Sequence, residues 1–149
     1  MNLTRIQHGA YAGVAGGVVF GAMMGMMGML PMIGQMVGVP TAAVGFIVHL
    51  VISTVIGASF AALFRSAVTG TASSLGYGAA YGTAWWFLGP LTLMPLMMGM
   101  GLGVNWNLTA ARQMAPSLLG HLIFGLILGV VYARLESRGY QAAPSSVTA

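Results

Sequence analysis

Two histidines occupy matching positions in two similar stretches of the chain, and they are the residues best suited to do chemistry. Residues 48–63 read VHLVISTVIGASFAAL and residues 120–135 read GHLIFGLILGVVYARL. These stretches align His49 with His121, and in each a small residue follows the histidine after four positions and a glycine after eight. Neutral imidazole is the commonest metal-ligating side chain. The pair therefore predicts one shared ligand site, and the alternative is two ordinary buried histidines that each bind a backbone carbonyl.

Haem b is one ligand that suits such a pair. His49 and His121 would be its two axial ligands, and the glycines that follow each histidine would leave room for the porphyrin edge. One of the consecutive residues Trp85, Trp86 and Phe87, with Trp86 as the first choice, would stack on the macrocycle. Arg112 would meet the propionates at the outer surface of the membrane.

Copper is the other ligand that the pattern predicts. Thioether sulfur is soft and suits Cu(I), and imidazole tolerates either copper state. We expect His49, His121, Met32 and Met97 to be the ligating residues. Methionine is also a flexible filler of glycine-rich surfaces, so the same pattern allows a site with no ion. The methionine-rich group at the ends of the first and third apolar segments consists of Met26, Met27, Met29, Met32, Met36, Met94, Met97 and Met98.

The composition is that of a membrane protein. Hydrophobic residues make up 58% of the 149 residues and charged residues 4%, whereas a soluble domain carries about 25% charged residues. Apolar segments at 9–30, 41–64, 75–94 and 116–133 approach the roughly 20 residues that a bilayer-crossing helix needs. Because helices satisfy their own backbone hydrogen bonds in lipid, we predict an all-α integral membrane protein with four transmembrane helices. The Gly89-Pro90 pair predicts a kink in the third.

The two halves of the chain resemble each other. Beside the matched histidine segments, MLPMIG at 29–34 corresponds to LMPLMMG at 93–99. We therefore predict two duplicated helical hairpins, at about 9–64 and 75–134, related as a parallel pseudo-twofold repeat. Together they form one four-helix domain over residues 1–140, and residues 141–149 form a flexible tail.

Small residues recur every fourth position along three of the predicted helices. Residues four apart share a helix face, and small faces let helix backbones approach closely within a membrane. We therefore predict glycine-ladder packing between helices, with a pore-lining face as the alternative. The ladder of the first helix consists of Gly9, Gly13, Gly17, Gly21 and Gly25, that of the second of Gly45, His49, Ser53, Gly57 and Ala61, and that of the fourth of Ser117, His121, Gly125, Gly129 and Ala133.

The arginines predict the orientation. Arg5, Arg65, Arg134 and Arg138 lie on one side of the predicted bundle, and Arg112 lies alone on the other. Because arginine is in excess on the cytoplasmic side, we expect both termini in the cytoplasm, in a prokaryotic plasma membrane. The loops at 32–39 and 99–115 then face outward.

The remaining composition excludes several functions. The chain has no cysteine and a single acid, Glu136, so it offers no thiolate metal site, no catalytic triad and no intramembrane carboxylate relay. Five scattered arginines form no basic patch for nucleic acid.

We expect a non-enzymatic membrane subunit that binds haem b or a metal ion between the second and fourth helices near the outer surface, for electron transfer or metal handling. Its expected partners are the lipid bilayer and other membrane subunits or further copies of itself. The alternatives are a small channel or solute-permeating protein, and a structural or assembly subunit without a ligand.

The orientation is testable by cysteine labelling on intact cells. We expect Asn107→Cys to react with a membrane-impermeant thiol reagent, because position 107 lies in the outward loop. Val68→Cys is the matched inward control and should react only after the cells are permeabilised. The reverse labelling pattern would contradict the arginine-based orientation.

Overall fold

The computed structural model of the protein describes residues 3–141, with side chains as far as residue 137, and over that range it is all-helical without strands. The predicted tail lies outside the described residues from position 142 onward. The elements are α1 (Leu3–Met26), α2 (Leu30–Gln35), α3 (Ala42–Phe64), α4 (Thr71–Leu88), a π-helical segment (Gly89–Leu93), α5 (Met94–Met97), α6 (Leu108–Gln113) and α7 (Ala115–Gln141).

Within residues 3–141, three helical stretches are long and apolar enough to cross a membrane. They are Leu3–Met26, Ala42–Phe64 and Ala115–Ser137. The segment expected as the third of four spans is divided into α4, the π-helical segment and α5. Pro90 lacks the N–H that an α-helix interior requires, and the helix is π-helical from Gly89 to Leu93 at this point.

Short helices interrupt both segments that were expected to be loops. In the first, α2 begins with Pro31 in its first turn, where the missing N–H costs no hydrogen bond. In the second, the side chain of Asn107 accepts a hydrogen bond from the Ala110 N–H and caps the start of α6. Thr41 caps α3 in the same way through the Val44 N–H.

The long helices are arranged around the contact between α1 and α7. Helix α1 packs along α3 on one side and α7 on the other, while α4 packs along α7. Helices α3 and α4 meet instead through aromatic side chains, with Phe60 and Phe64 against Tyr81 at ring-centroid distances of 5.4 and 5.5 Å. The Ser59 and Tyr81 hydroxyls are 2.7 Å apart and share a hydrogen bond. Toward the opposite end of these helices a cavity opens between them.

Backbones approach closely where glycines of one helix face another helix. A Cβ placed on Gly57 of α3 would meet the carbonyl oxygen of Gly9 and would lie 2.7 Å from Cα of Gly13. A Cβ on Gly125 of α7 would meet the carbonyl oxygen of Gly78 and lie 3.1 Å from Cα of Gly82. Any larger side chain at these positions would push the two helices apart.

The close approach at Gly17 predicts the effect of a larger residue there. A Cβ on Gly17 would lie 2.6 Å from both Cβ and Oγ of Ser53, so we expect Gly17→Leu to lower the free energy of unfolding by about 1–3 kcal/mol through overpacking. Val18 is 46% exposed, and Val18→Leu is the matched control that should change stability little. Thermal unfolding of the two variants in detergent checks this. Equal stability of Gly17→Leu and wild type would mean that this face of α1 packs against no helix.

Candidate functional site

A cavity of about 390 Å³ lies between α3 and the helical stretch formed by α4, the π-helical segment and α5. Its walls are mostly apolar, and α1 and α7 contribute Phe20 and Phe124. Four polar residues line it: His49, Ser53, Ser117 and His121. Thioether side chains form much of the remaining wall, from Met24, Met29, Met32, Met36, Met94 and Met97.

His121 presents one unprotonated ring nitrogen toward this cavity. Its Nδ1 donates a hydrogen bond of 2.8 Å to the carbonyl oxygen of Ser117, one turn earlier in α7. Because a carbonyl can only accept, the proton of the neutral ring is on Nδ1, and Nε2 carries a lone pair. Nε2 makes no hydrogen bond to any described residue, and a Cβ placed on Gly89 would lie 3.8 Å from it.

His49 is anchored through its other nitrogen. Its Nε2 donates a hydrogen bond of 3.0 Å to the carbonyl oxygen of Gly17 in α1, and Oγ of Ser53 lies 3.5 Å from the same nitrogen. The ring is 7% exposed. The proton of the neutral ring is therefore on Nε2, and Nδ1 has no hydrogen-bond partner among the described residues.

The phenyl ring of Phe20 contacts both imidazoles. Its centroid lies 5.3 Å from that of His49 and 4.7 Å from that of His121, with both pairs in edge-to-face arrangements. The histidines therefore border the same cavity with an aromatic ring against each of them. Such edge-to-face contacts hold all three rings in defined orientations.

Four of the six residues predicted for the site border this cavity, and two do not. His49, His121, Met32 and Met97 line it, whereas Trp86 and Arg112 are absent from its walls. Trp86 instead donates its indole N–H to the carbonyl oxygen of Met114, at 3.0 Å. Arg112 lies exposed on α6. Because consecutive helical residues point about 100° apart, the tryptophan that lines the cavity is the preceding one, Trp85.

Sequence reasoning missed Phe20 and Met24, although a periodic signal was present. Both belong to α1, both are 4% exposed, and they are four residues apart, so they share one helix face. Three methionines of the expected cluster, Met26, Met27 and Met98, are exposed and do not line the cavity. Residue type alone therefore did not separate the methionines that line the cavity from those that do not.

The loop between α5 and α6 is tied to the π-helical segment beside the cavity. Trp106 donates its indole N–H to Oγ1 of Thr92, at 3.0 Å, and its ring stacks at 5.6 Å on Phe87. Thr92 in turn donates to the carbonyl oxygen of Phe87, at 2.8 Å. This chain of contacts fixes the backbone next to Gly89 and Pro90, which both line the cavity.

Histidine, cysteine, aspartate and glutamate form no group of three or more that could hold a metal ion anywhere in residues 3–141. A metal in this cavity would therefore depend on thioether sulfur together with imidazole. Comparison with protein-family models, curated proteins and solved structures finds no match to this chain.

The hydrogen bonds predict opposite tautomers for the two histidines. We expect His49 to carry its proton on Nε2 and His121 on Nδ1, because each of those nitrogens faces a carbonyl oxygen. Long-range proton–nitrogen correlation spectra of the ¹⁵N-labelled protein distinguish the tautomers, with His49→Gln and His121→Gln assigning the signals. A proton on Nε2 of His121 in the metal-free protein would contradict this geometry.

Proposed function

We propose that this chain is a membrane protein that binds Cu(I) in the methionine-lined cavity, as a non-enzymatic subunit for metal handling. The observation that carries the proposal is the convergence of six thioethers and two imidazoles on one cavity of about 390 Å³. Soft thioether and imidazole ligands suit Cu(I).

The hydrogen bonds of the histidines support a ligating role. Histidines that bind a metal almost always donate their other ring N–H to a carbonyl, carboxylate or water, which fixes the ring and its tautomer. His121 does this through the Ser117 carbonyl and His49 through the Gly17 carbonyl. Each ring keeps one lone pair without a partner in the described part of the chain.

The charge of the cavity-lining residues favours a monovalent metal ion over a divalent one. No acidic residue lines the cavity, and Glu136, the only acid in the chain, lies in a separate cavity with Arg5 and His8. An uncompensated charge in an apolar site is costly, and the cost rises steeply with the size of the charge. Cu(I) with neutral sulfur and nitrogen ligands therefore fits better than Zn²⁺ or Ca²⁺.

Haem b is less well supported than copper. A haem iron with two axial imidazoles needs both rings to present a nitrogen to opposite faces of one macrocycle. Phe20 contacts both imidazoles at 5.3 and 4.7 Å, which leaves less room for a macrocycle there. Trp86 and Arg112, the residues expected to hold the haem, do not line the cavity.

We further propose four membrane-spanning helices rather than three. Helix α4, the π-helical segment and α5 follow one another without a break from Thr71 to Met97. At 1.5 Å per residue such a stretch reaches roughly 40 Å, enough to cross the hydrocarbon core. With both termini in the cytoplasm, the cavity would lie toward the outer surface and Cu(I) would enter from outside.

The proposed hairpin repeat and glycine-ladder packing are supported by matching contacts. Gly57 of α3 faces Gly9 and Gly13 of α1. Gly129, its counterpart in the aligned segments, faces Ser74 of α4 and lies near Gly78. Helix α1 packs on α3 much as α4 packs on α7, as a duplicated hairpin would.

Competition titration against a chromogenic Cu(I) chelator tests the proposal on the protein purified in detergent. We expect one tight Cu(I) per chain, and a loss of about tenfold or more in affinity for His121→Ala and for Met97→Leu. Met98→Leu is the matched control, because Met98 is adjacent to Met97 in the chain, is of similar exposure and is absent from the cavity wall. It should bind as wild type does.

Three other outcomes would contradict the copper proposal. A Soret band that His49→Ala removes would replace copper by haem. No stoichiometric copper and no chromophore would overturn the ligand proposal and favour the channel or structural alternatives. An equal loss for Met98→Leu would mean that Cu(I) binds surface methionines rather than the cavity.

A further inference from the structure

A second cavity, of about 610 Å³, lies at the other end of the bundle, and its walls are mixed polar and apolar, far more polar than those of the first cavity. It is formed where α1 begins, where α3 leads into α4 and where α7 nears its end. We call it the polar basin; its charged and titratable lining residues are Arg5, His8, Arg65 and Glu136, and Thr69 adds a hydroxyl. Nothing in the copper proposal uses these residues.

The carboxylate of Glu136 contacts two side chains of α1 within the basin. Its Oε2 lies 3.0 Å from Nε of Arg5, and its Oε1 accepts a hydrogen bond of 2.7 Å from Nδ1 of His8. Both carboxylate oxygens are thus occupied by contacts from α1. The negative charge of Glu136 is balanced by Arg5, so it offers little repulsion to an incoming anion.

Guanidinium N–H groups in the polar basin are left without partners among the described side chains. Arg65 makes no side-chain hydrogen bond or ion pair with the residues whose side chains the structure describes, and Arg5 contacts Glu136 through Nε. The basin therefore holds one positive charge in excess when His8 is neutral. A guanidinium with free N–H groups matches the oxygens of a phosphate in a bidentate geometry.

A buried hydroxyl one turn from Glu136 also lacks a partner. Tyr132 is 1% exposed, and its oxygen has no hydrogen-bond partner in the described part of the chain. Buried polar groups of this kind are normally satisfied by a water or an ion. Tyr132 and Glu136 are four residues apart on α7 and so share a helix face, but the ring of Tyr132 packs against Phe60 at 5.7 Å and does not line the basin.

We propose that the polar basin binds the phosphate group of an anionic phospholipid. The basin lies at the shared end of the three candidate membrane-spanning helices, at the level where headgroups meet water. Exposed apolar side chains for acyl chains stand at the same end, since Leu3 and Leu63 are 70% and 65% exposed. Basic pockets between helices on the cytoplasmic side are suited to anionic headgroups.

Native mass spectrometry of the full chain, released from detergent with phosphatidylglycerol or phosphatidylcholine, tests this. We expect one retained phosphatidylglycerol and little phosphatidylcholine. Arg65→Gln should reduce phosphatidylglycerol binding by about tenfold or more, as expected for a lost charge-assisted hydrogen bond. Because Arg65 contacts no described side chain through hydrogen bonds, this variant should fold. Arg134→Gln is the matched control, since Arg134 is exposed and lies outside the basin.

Competition separates a lipid headgroup from free phosphate. Millimolar inorganic phosphate that fails to displace the bound phosphatidylglycerol supports the lipid as the ligand. Displacement by phosphate at that concentration, with no preference between the two lipids, would overturn the lipid assignment in favour of a soluble phosphate. Equal losses for Arg65→Gln and Arg134→Gln would overturn the site altogether, because diffuse surface charge would then explain the binding.

Discussion

Close approach of helix backbones is the constraint on which the rest of this structure depends. Gly57 meets the backbone of Gly9 and Gly13, and Gly125 meets that of Gly78. These contacts draw α3 onto α1 and α4 onto α7, while α1 and α7 pack on each other. Helices α3 and α4 are then left to meet through the reach of side chains such as Tyr81. Aromatic rings fill the space between them at one end, and at the other end the cavity remains.

The two ends of the bundle consequently offer different chemistry. The acidic side chain of Glu136 and the guanidinium of Arg65 belong to the polar basin, whereas the opposite cavity is lined by thioethers, apolar groups and two neutral imidazoles. In an apolar medium a charge is stable only when it is paired or hydrated. The proposed copper site therefore uses neutral ligands, and the proposed phosphate site uses the arginines at the interface.

The π-helical segment links the loop between α5 and α6 to the proposed metal site. Gly89 has no side chain to fill the space in front of His121, and Pro90 provides no backbone N–H at the same turn. Trp106 holds this segment through Thr92. Irregular helical turns of this kind often occur at functional sites, and here the irregular turn forms one wall of the cavity.

The sequence by itself determined the helical class, the apolar character and the approximate positions of the long helices, and it singled out His49 and His121, which line the same cavity. Those features follow from composition and from the spacing of small residues, which are local properties. Only the tertiary structure decided which side chains share the cavity, because that depends on helix rotation. A rotation of about 100° per residue brings Trp85 rather than Trp86 to the wall, and it places Phe20 against both imidazoles. The basin likewise joins residues from α1, from the connection between α3 and α4 and from α7, which no local pattern of the chain brings together.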